Sequence, residues 1–261
     1  MKCKICEAKS RAVFKGTVLN KYEIQYFNCP SCGFTQTEEP YWLEEAYSDA
    51  ISVSDTGVMA RNLSLSKMAK LVLSFVSDKQ GKFLDFGGGY GIFTRMMRDI
   101  GFDFYWYDKF AHNLVARGFE GKIDNDLKYE AVTSFENFEH LLNPLEDIET
   151  MLGLSDTVLF STELMPSDLP QPEKWWYYCL EHGQHISIFS RKSLEYIANK
   201  NGFKFISNGS TLHMFTKKSI SPKIFVLTKI MIKLGLDRFI RNKPKTNDDM
   251  VLMIKKMETK L

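Results

Sequence analysis

The chain has 261 residues, 44% hydrophobic and 25% charged, enough for one sizeable α/β domain with a small appendage and no large disordered region. The formal net charge of +2 is unevenly spread: Lys217 to Leu261 hold 12 Lys/Arg against 4 Asp/Glu, leaving 22 against 28 in the rest. A mildly acidic body is a poor match for a nucleic-acid backbone, so nucleic acid is not an expected partner, and no run of about 18 apolar residues is present to span a membrane.

The polar opening MKCKICEAKS does not read as a signal peptide, which predicts a cytoplasmic chain with reduced thiols. Cys3-x-x-Cys6 and Cys29-x-x-Cys32 are two knuckles separated by 22 residues. Their four thiolates can close a tetrahedron around Zn²⁺ with no open position, so residues 1–40 are expected to form a small zinc ribbon with a structural metal. Between the knuckles, VFKGTVLNKYEIQYFNCP alternates apolar and polar residues as a short hairpin does. Cys179 is left over as a lone core or pocket-wall thiol.

Residues 41–79 read as a helical lead-in, with RNLSLSKMAKLVLSFV at helical spacing. Residues 80–216 alternate strand and helix, the pattern of an α/β, Rossmann-like doubly wound parallel sheet. Strands are expected at 82–86, 102–108, 129–135, 157–164 and within 202–218. Helices are expected at 91–101, 112–118, 144–153 and 190–203, the last capped by Ser190 and stopped at Asn201-Gly202. The tail, 217–261, is basic, amphipathic and helical, and has two readings: a helix packed on the domain or a partner subunit, or a peripheral contact with the anionic inner surface of a membrane.

LDFGGGYGIF, Leu84 to Phe93, follows a strand with a glycine loop and opens a helix. A dinucleotide fingerprint, G-x-G-x-x-G, would need glycine at Ile92 or Thr94, and neither is one. The spacing that fits is G-x-G-x-G at Gly87, Gly89 and Gly91, with Gly88 between and Asp85-Phe86 before it. Asp108 ends the next strand, 23 residues after Asp85, where a carboxylate can accept both ribose hydroxyls of an adenosine. Phe119 follows and can flank the adenine. Phe135 and Glu136 sit where the strand at 129–135 ends, the edge at which ligands of open α/β sheets bind.

This order of motifs, over about residues 80–216, resembles the class I S-adenosylmethionine-dependent methyltransferases: a glycine motif after an acidic residue, an acid at the second strand, and a Glu139-His140 pair opening the helix after a later strand. The resemblance implies S-adenosylmethionine as cofactor and makes His140 a cofactor-shell or helix-start residue. The long segment STELMPSDLPQPEKWWYYCLEHGQHISIFS sets Trp175, Trp176, Tyr177 and Tyr178 beside Glu181, His182, Gln184 and His185, which reads as an aromatic sugar-binding wall. Its H-x-x-x-FS ending resembles deoxysugar and polysaccharide-locus methyltransferases that carry an N-terminal four-Cys zinc module. That likeness implies a sugar or glycan acceptor and His185 as general base, with His182 beside it. Gln184 stands where that family has an acid, which leaves O- and C-methylation both open. The alternatives are an RNA base methyltransferase with a zinc ribbon, and a protein that binds the cofactor without catalysis.

Overall fold

The computed structural model describes residues 1–48, 52–124 and 126–259. In chain order the elements open with β1 (Arg11–Val18), β2 (Tyr22–Asn28), β3 (Thr35–Thr37), α1 (Leu43–Ala46) and α2 (Val58–Val76). Then come β4 (Lys82–Phe86), α3 (Ile92–Asp99), β5 (Asp103–Tyr107), β6 (Ala131–Ser134), α4 (Pro144–Leu154) and β7 (Thr157–Ser161). The chain ends with β8 (Ser187–Ile188), α5 (Arg191–Lys200), β9 (Lys204–Ser207), β10 (Leu212–Thr216), α6 (Ile224–Lys233) and α7 (Thr246–Glu258). They fall into two compact units, Met1–Ser54 with Ser134–Lys217, and Asp55–Thr133 with Lys218–Leu261.

In the first unit β1 and β2 form the expected hairpin. Leu19 and Asn20 both take positive φ, 54° and 53°, and Lys21 N donates to Val18 O at 3.0 Å, a turn whose twist suits paired strands. Phe14, Val18, Ile24 and Tyr26 alternate to one face and are buried there. The sheet continues through β3 to β8, in the order β1-β2-β3-β8, so the Cys-rich hairpin is completed by residues from far along the chain. Its apolar face is covered by Trp42, Tyr177, Tyr178, Ile186 and Ile188. Tyr178 meets Phe14 and Tyr26 edge-on at 5.4 and 5.2 Å. The aromatic run expected to be a ligand wall is therefore half core: Tyr177 and Tyr178 are 3% and 0% exposed, Trp176 72%. A hairpin of this size has no second face of its own, and these rings supply it.

The remaining strands of the first unit run in the order β7-β10-β9, all antiparallel. The expected strand region at 202–218 is thus a hairpin, turned at Gly209 with φ 94°. Helix α5 begins and ends as predicted: Ser190 Oγ accepts from Ser193 N at 3.1 Å and Gly202 takes φ 72°.

In the second unit β5-β4-β6 are parallel, with Leu84 opposite Tyr105 and Val132, and α3 connects β4 to β5. The fold is α/β and Rossmann-like, with parallel and antiparallel strands rather than the all-parallel arrangement that the strand–helix alternation predicts. The helix expected at 112–118 does not form. Asn113 Oδ1 accepts from Ala116 N at 2.9 Å and Gly118 turns to φ 89°, so a local side-chain bond and a left-handed glycine replace helical hydrogen bonding. The tail makes two helices broken at Gly235, φ 66°. Helix α7 is fastened by Asp249, which receives Arg98 Nη2 at 2.7 Å and Arg95 Nη2 at 2.8 Å. Among the described residues no helix is long and apolar enough to cross a membrane.

Candidate functional site

Among the described residues three constellations carry chemistry, two in the first unit and one in the second. The cysteines of the first unit meet as the knuckle spacing predicts. Cys3 Sγ lies 3.6 Å from Cys32 Sγ, and Cys6 Sγ lies 3.5 Å from Cys29 Sγ, with all four sulfurs within 4.8 Å of one another. A tetrahedron of Zn–S bonds of about 2.3 Å has edges of about 3.8 Å, so the set fits a four-thiolate metal with small adjustment. The sulfurs are too far apart for disulfides. Gly33 turns at φ 74°, and a Cβ there would meet Ser190 Oγ at 2.7 Å. That same hydroxyl donates to Cys32 O at 2.6 Å, so the second knuckle is tied to the N-cap of α5.

The histidines form the second constellation. His140, on the 3-10 turn Phe138–His140, stands edge-on to His185 at 4.9 Å between ring centroids, and His182 is 5.2 Å from His185 on the other side. His185 Nδ1 is 2.6 Å from Tyr177 O. A carbonyl only accepts, so Nδ1 carries the hydrogen and Nε2 is left with its lone pair. Burial, reinforced by the neighbouring His140 and His182, holds the His185 imidazole well below its ordinary 6.5, so the ring is neutral at pH 7. His140 Nδ1 pairs with the Tyr47 hydroxyl at 3.0 Å, and His182 Nδ1 accepts from Gln184 N at 3.3 Å. Gln184 itself is 5% exposed and donates to Ala46 O at 2.6 Å.

Beside them Glu139, which the sequence offers only as the partner of His140 at a helix start, is 1% exposed and its Oε2 has no hydrogen-bond partner. Burial and the Glu136 charge push its carboxyl up to about 8. Glu136, at the end of β6, takes φ 50°, a left-handed conformation uncommon in a non-glycine residue. It is held there by Ser161, which accepts from Glu136 N at 2.8 Å and donates to Glu136 Oε1 at 2.6 Å. Phe135 is half-buried next to it.

The third constellation is the glycine loop of the second unit. Gly87, Gly89 and Gly91 take φ of 75°, 52° and 86°, which a side chain would strain. Gly87 N and Gly88 N both donate to Tyr107 O, at 2.8 and 3.1 Å, and Gly89 N donates to Asp108 Oδ2 at 2.9 Å. These three N–H groups point into the protein and are not left to cradle a pyrophosphate, which fits a nucleoside cofactor without phosphates better than a dinucleotide. A Cβ on Gly89 would meet nothing within 4 Å, so the loop is open on that side, whereas one on Gly88 would strike Trp106 at 2.7 Å.

Asp108 already accepts three backbone N–H groups, from Gly89 on Oδ2 and from Phe110 and Ala111 on Oδ1, both at 2.8 Å. Of about four acceptor positions on a carboxylate, one on Oδ2 is left for a ribose hydroxyl, where the sequence suggested room for two. Asp85 is 2% exposed beneath the loop and accepts from Thr94 Oγ1 at 2.8 Å and Thr133 Oγ1 at 3.2 Å. Burial pushes its carboxyl up to about 7. Neither threonine is visible as a partner in the linear motif, since one lies nine and the other 48 residues away. Phe86 is buried against Tyr107. Phe119 is 4% exposed and has the Arg98 guanidinium at 3.6 Å from its ring centre, so one face of that ring is taken.

A family model described as a methyltransferase domain matches residues 59–208, more than half of the chain. Among solved structures, the chain is similar to magnesium protoporphyrin IX methyltransferase from Synechocystis with bound SAH, at 16% identity over 67% of this chain and 92% of that one, TM-score 0.47. It is also similar to human N-acetylserotonin methyltransferase in complex with SAM, at 14% identity over 68% and 66% of the two chains, TM-score 0.42. No curated protein sequence matches it. On the family match the chain belongs to the methyltransferase-domain family and is an S-adenosylmethionine-dependent methyltransferase.

Proposed function

We propose that this methyltransferase acts in the cytoplasm on a sugar or glycan acceptor of the surface-polysaccharide or nucleotide-sugar type, with His185 as general base. The cofactor, when bound, supplies an electrophilic methyl group on a sulfonium. A hydroxyl or carbon-acid acceptor has to lose a proton as that methyl moves, and a neutral imidazole takes it. The observation that carries this role is the bond between His185 Nδ1 and Tyr177 O, which fixes the tautomer with Nε2 as proton acceptor. His140 and His182 stand 4.9 and 5.2 Å from it, ring centre to ring centre, and together with burial they keep the imidazole neutral and able to accept. Trp176, 72% exposed beside Tyr177, is the free aromatic face of this stretch and suits stacking on a pyranose.

In this reading the open side of Gly89 and the last acceptor position of Asp108 hold the adenosine. The four cysteines hold one structural Zn²⁺. The deciding experiment supplies labelled S-adenosylmethionine with a panel of nucleotide-linked sugars and glycan fragments, with RNA as control. Label in a sugar, lost in His185→Ala, is the expected result. Label in RNA or in a small aromatic acceptor, with every sugar unlabelled, overturns the acceptor assignment.

A further inference from the structure

The described residues of the basic tail are part of none of the three constellations, and α6 docks with only part of its surface. Ile224, Phe225 and Thr228 are buried, and the Thr228 hydroxyl turns back to Ile224 O at 2.9 Å. The other side of the helix is apolar as well: Val226, Leu227, Ile230 and Leu234 are 58%, 48%, 49% and 62% exposed. Leu227, Ile230 and Leu234 follow one another at three and four residues, which places them in one stripe. The chain continues with Phe239, 71% exposed. Around the stripe, from Lys223 to Arg241, stand five cations, Lys223, Lys229, Lys233, Arg238 and Arg241, against the single acid Asp237.

A water-facing helix has no need of such a stripe, and a contiguous apolar patch rimmed by one sign of charge marks a binding surface. Two partners are excluded by its chemistry. A two-fold contact with a second copy would set this cationic face against itself, and nucleic acid would leave the leucine and isoleucine side chains without apolar cover. A lipid interface satisfies both features: the acyl boundary takes the apolar stripe, and anionic headgroups take the lysines along its edge. We propose that α6 and the segment running on to Arg241 form a peripheral docking face for anionic phospholipid, laid flat on the surface. The inference stands on these residues alone and does not depend on which acceptor is methylated.

The test is sedimentation of the full chain with vesicles of phosphatidylcholine alone and of phosphatidylcholine mixed with phosphatidylglycerol, at about 0.15 M salt, where exposed charges more than about 8 Å apart are screened. Binding to the mixed vesicles, and little to the neutral ones, is expected. Lys229→Glu with Lys233→Glu is expected to lower partitioning by about tenfold or more, and Leu227→Glu with Ile230→Glu to abolish it. All four positions are exposed, and retained methyl transfer in solution will report that each variant is folded. The proposal fails if anionic vesicles bind no more protein than neutral ones, or if either double variant binds like the wild type. It fails equally if the wild type is a dimer in solution that Leu227→Glu with Ile230→Glu dissociates while vesicle binding is unchanged, because the stripe is then a subunit contact.

Discussion

The glycine loop after β4 and the histidine cluster around His185 are assembled by different means. The loop is local: Asp85 to Gly91 are seven consecutive residues, its shape is set by positive φ at three glycines, and its first three N–H groups close onto Tyr107 and Asp108 at the next strand. The cluster is gathered from separated stretches: Tyr47, Glu139 and His140, Tyr177, and His182 to His185, each positioned by a side-chain or carbonyl contact. The loop's backbone neither titrates nor binds a metal, so pH reaches it through the buried Asp85 carboxyl beneath it, pushed up to about 7. A site built from buried imidazoles, carboxylates and thiols is sensitive to both.

Metal removal is the severest way to expose that difference. Structural zinc in small modules binds with apparent free energies of roughly 10–16 kcal/mol, much of it folding energy. One Zn²⁺ per chain is expected by elemental analysis. Stripping it, or Cys29→Ser, is expected to release the amides of β1, β2, β3 and β8 to fast hydrogen exchange, together with the first turn of α5, which Ser190 ties to Cys32. The amides of α2 and β4 should keep their protection. A metal-free protein with β1 and β2 still protected would make the cysteines a cluster of thiols and no more.

Next in size is the base. His185→Ala is expected to lower kcat by about 10²–10⁴-fold with little change in cofactor affinity. The neutral form of His185 is the active one, and burial holds its titration well below 6.5. The rate should therefore stay flat as pH falls through the ordinary imidazole range, and drop only at distinctly lower pH. Glu139 and Tyr177, which also belong to this cluster, are both pushed upward and stay protonated through that range. An acid limb near 6.5 that disappears in His182→Ala would transfer the role to His182.

What the sequence made legible follows the same division. Loop glycines, knuckle cysteines and the Ser190 cap act over a few residues, so their spacing states their geometry. Bringing His140 to His185 depends on the stretch before β8 bonding to the 138–141 turn, where Ile186 N donates to Glu139 O at 2.9 Å and Ser187 Oγ to Leu141 O at 2.7 Å, which no local pattern encodes. The misread stretches have physical causes too. Tyr177 and Tyr178 looked like a ligand wall because a linear sequence does not reveal that the N-terminal hairpin lacks a face. Residues 112–118 read as helical, but Asn113 and Gly118 compete with helix there through a side-chain bond and a left-handed turn.

His213 sharpens the comparison on stability. It is 0% exposed, with Nε2 at 2.9 Å from Thr162 O and Nδ1 at 2.9 Å from Ser207 Oγ, and burial pushes it down to about 4, with Arg191 adding to the effect. Its folded pKa lies below the unfolded value of 6.5. Above that value it contributes no pH dependence. As pH falls from 6.5 towards 4 the unfolded chain takes up a proton that the folded one does not, so stability is lost across that window, by about 3 kcal/mol in total. Urea midpoints at pH 7 and pH 5 should differ by the equivalent of about 2 kcal/mol from this group, with His185 adding in the same direction. His213→Gln can keep both hydrogen bonds and should remove that share. An unchanged pH slope in the variant would mean that His213 is charged in the fold.

The smallest expected effect asks whether Asp108 binds cofactor or only shapes the loop. Asp108→Asn keeps a carbonyl for Phe110 N and Ala111 N but turns an amide donor towards Gly89 N–H, so one charge-assisted hydrogen bond and the acceptor beside it are lost. Calorimetry should register a loss of about 1–2 kcal/mol in affinity for S-adenosylhomocysteine. Asp108→Ala, which frees all three N–H groups, should lose somewhat more through a looser loop. The two roles separate when the ribose is changed. If Asp108 accepts from a ribose hydroxyl, a dideoxyribose analogue of the cofactor product should bind wild type and Asp108→Asn with nearly equal affinity, because the interaction is already gone from the ligand side. If the carboxylate only latches Gly89, the variant should weaken the analogue as much as the natural product, and the ribose contact would have to be assigned to another residue.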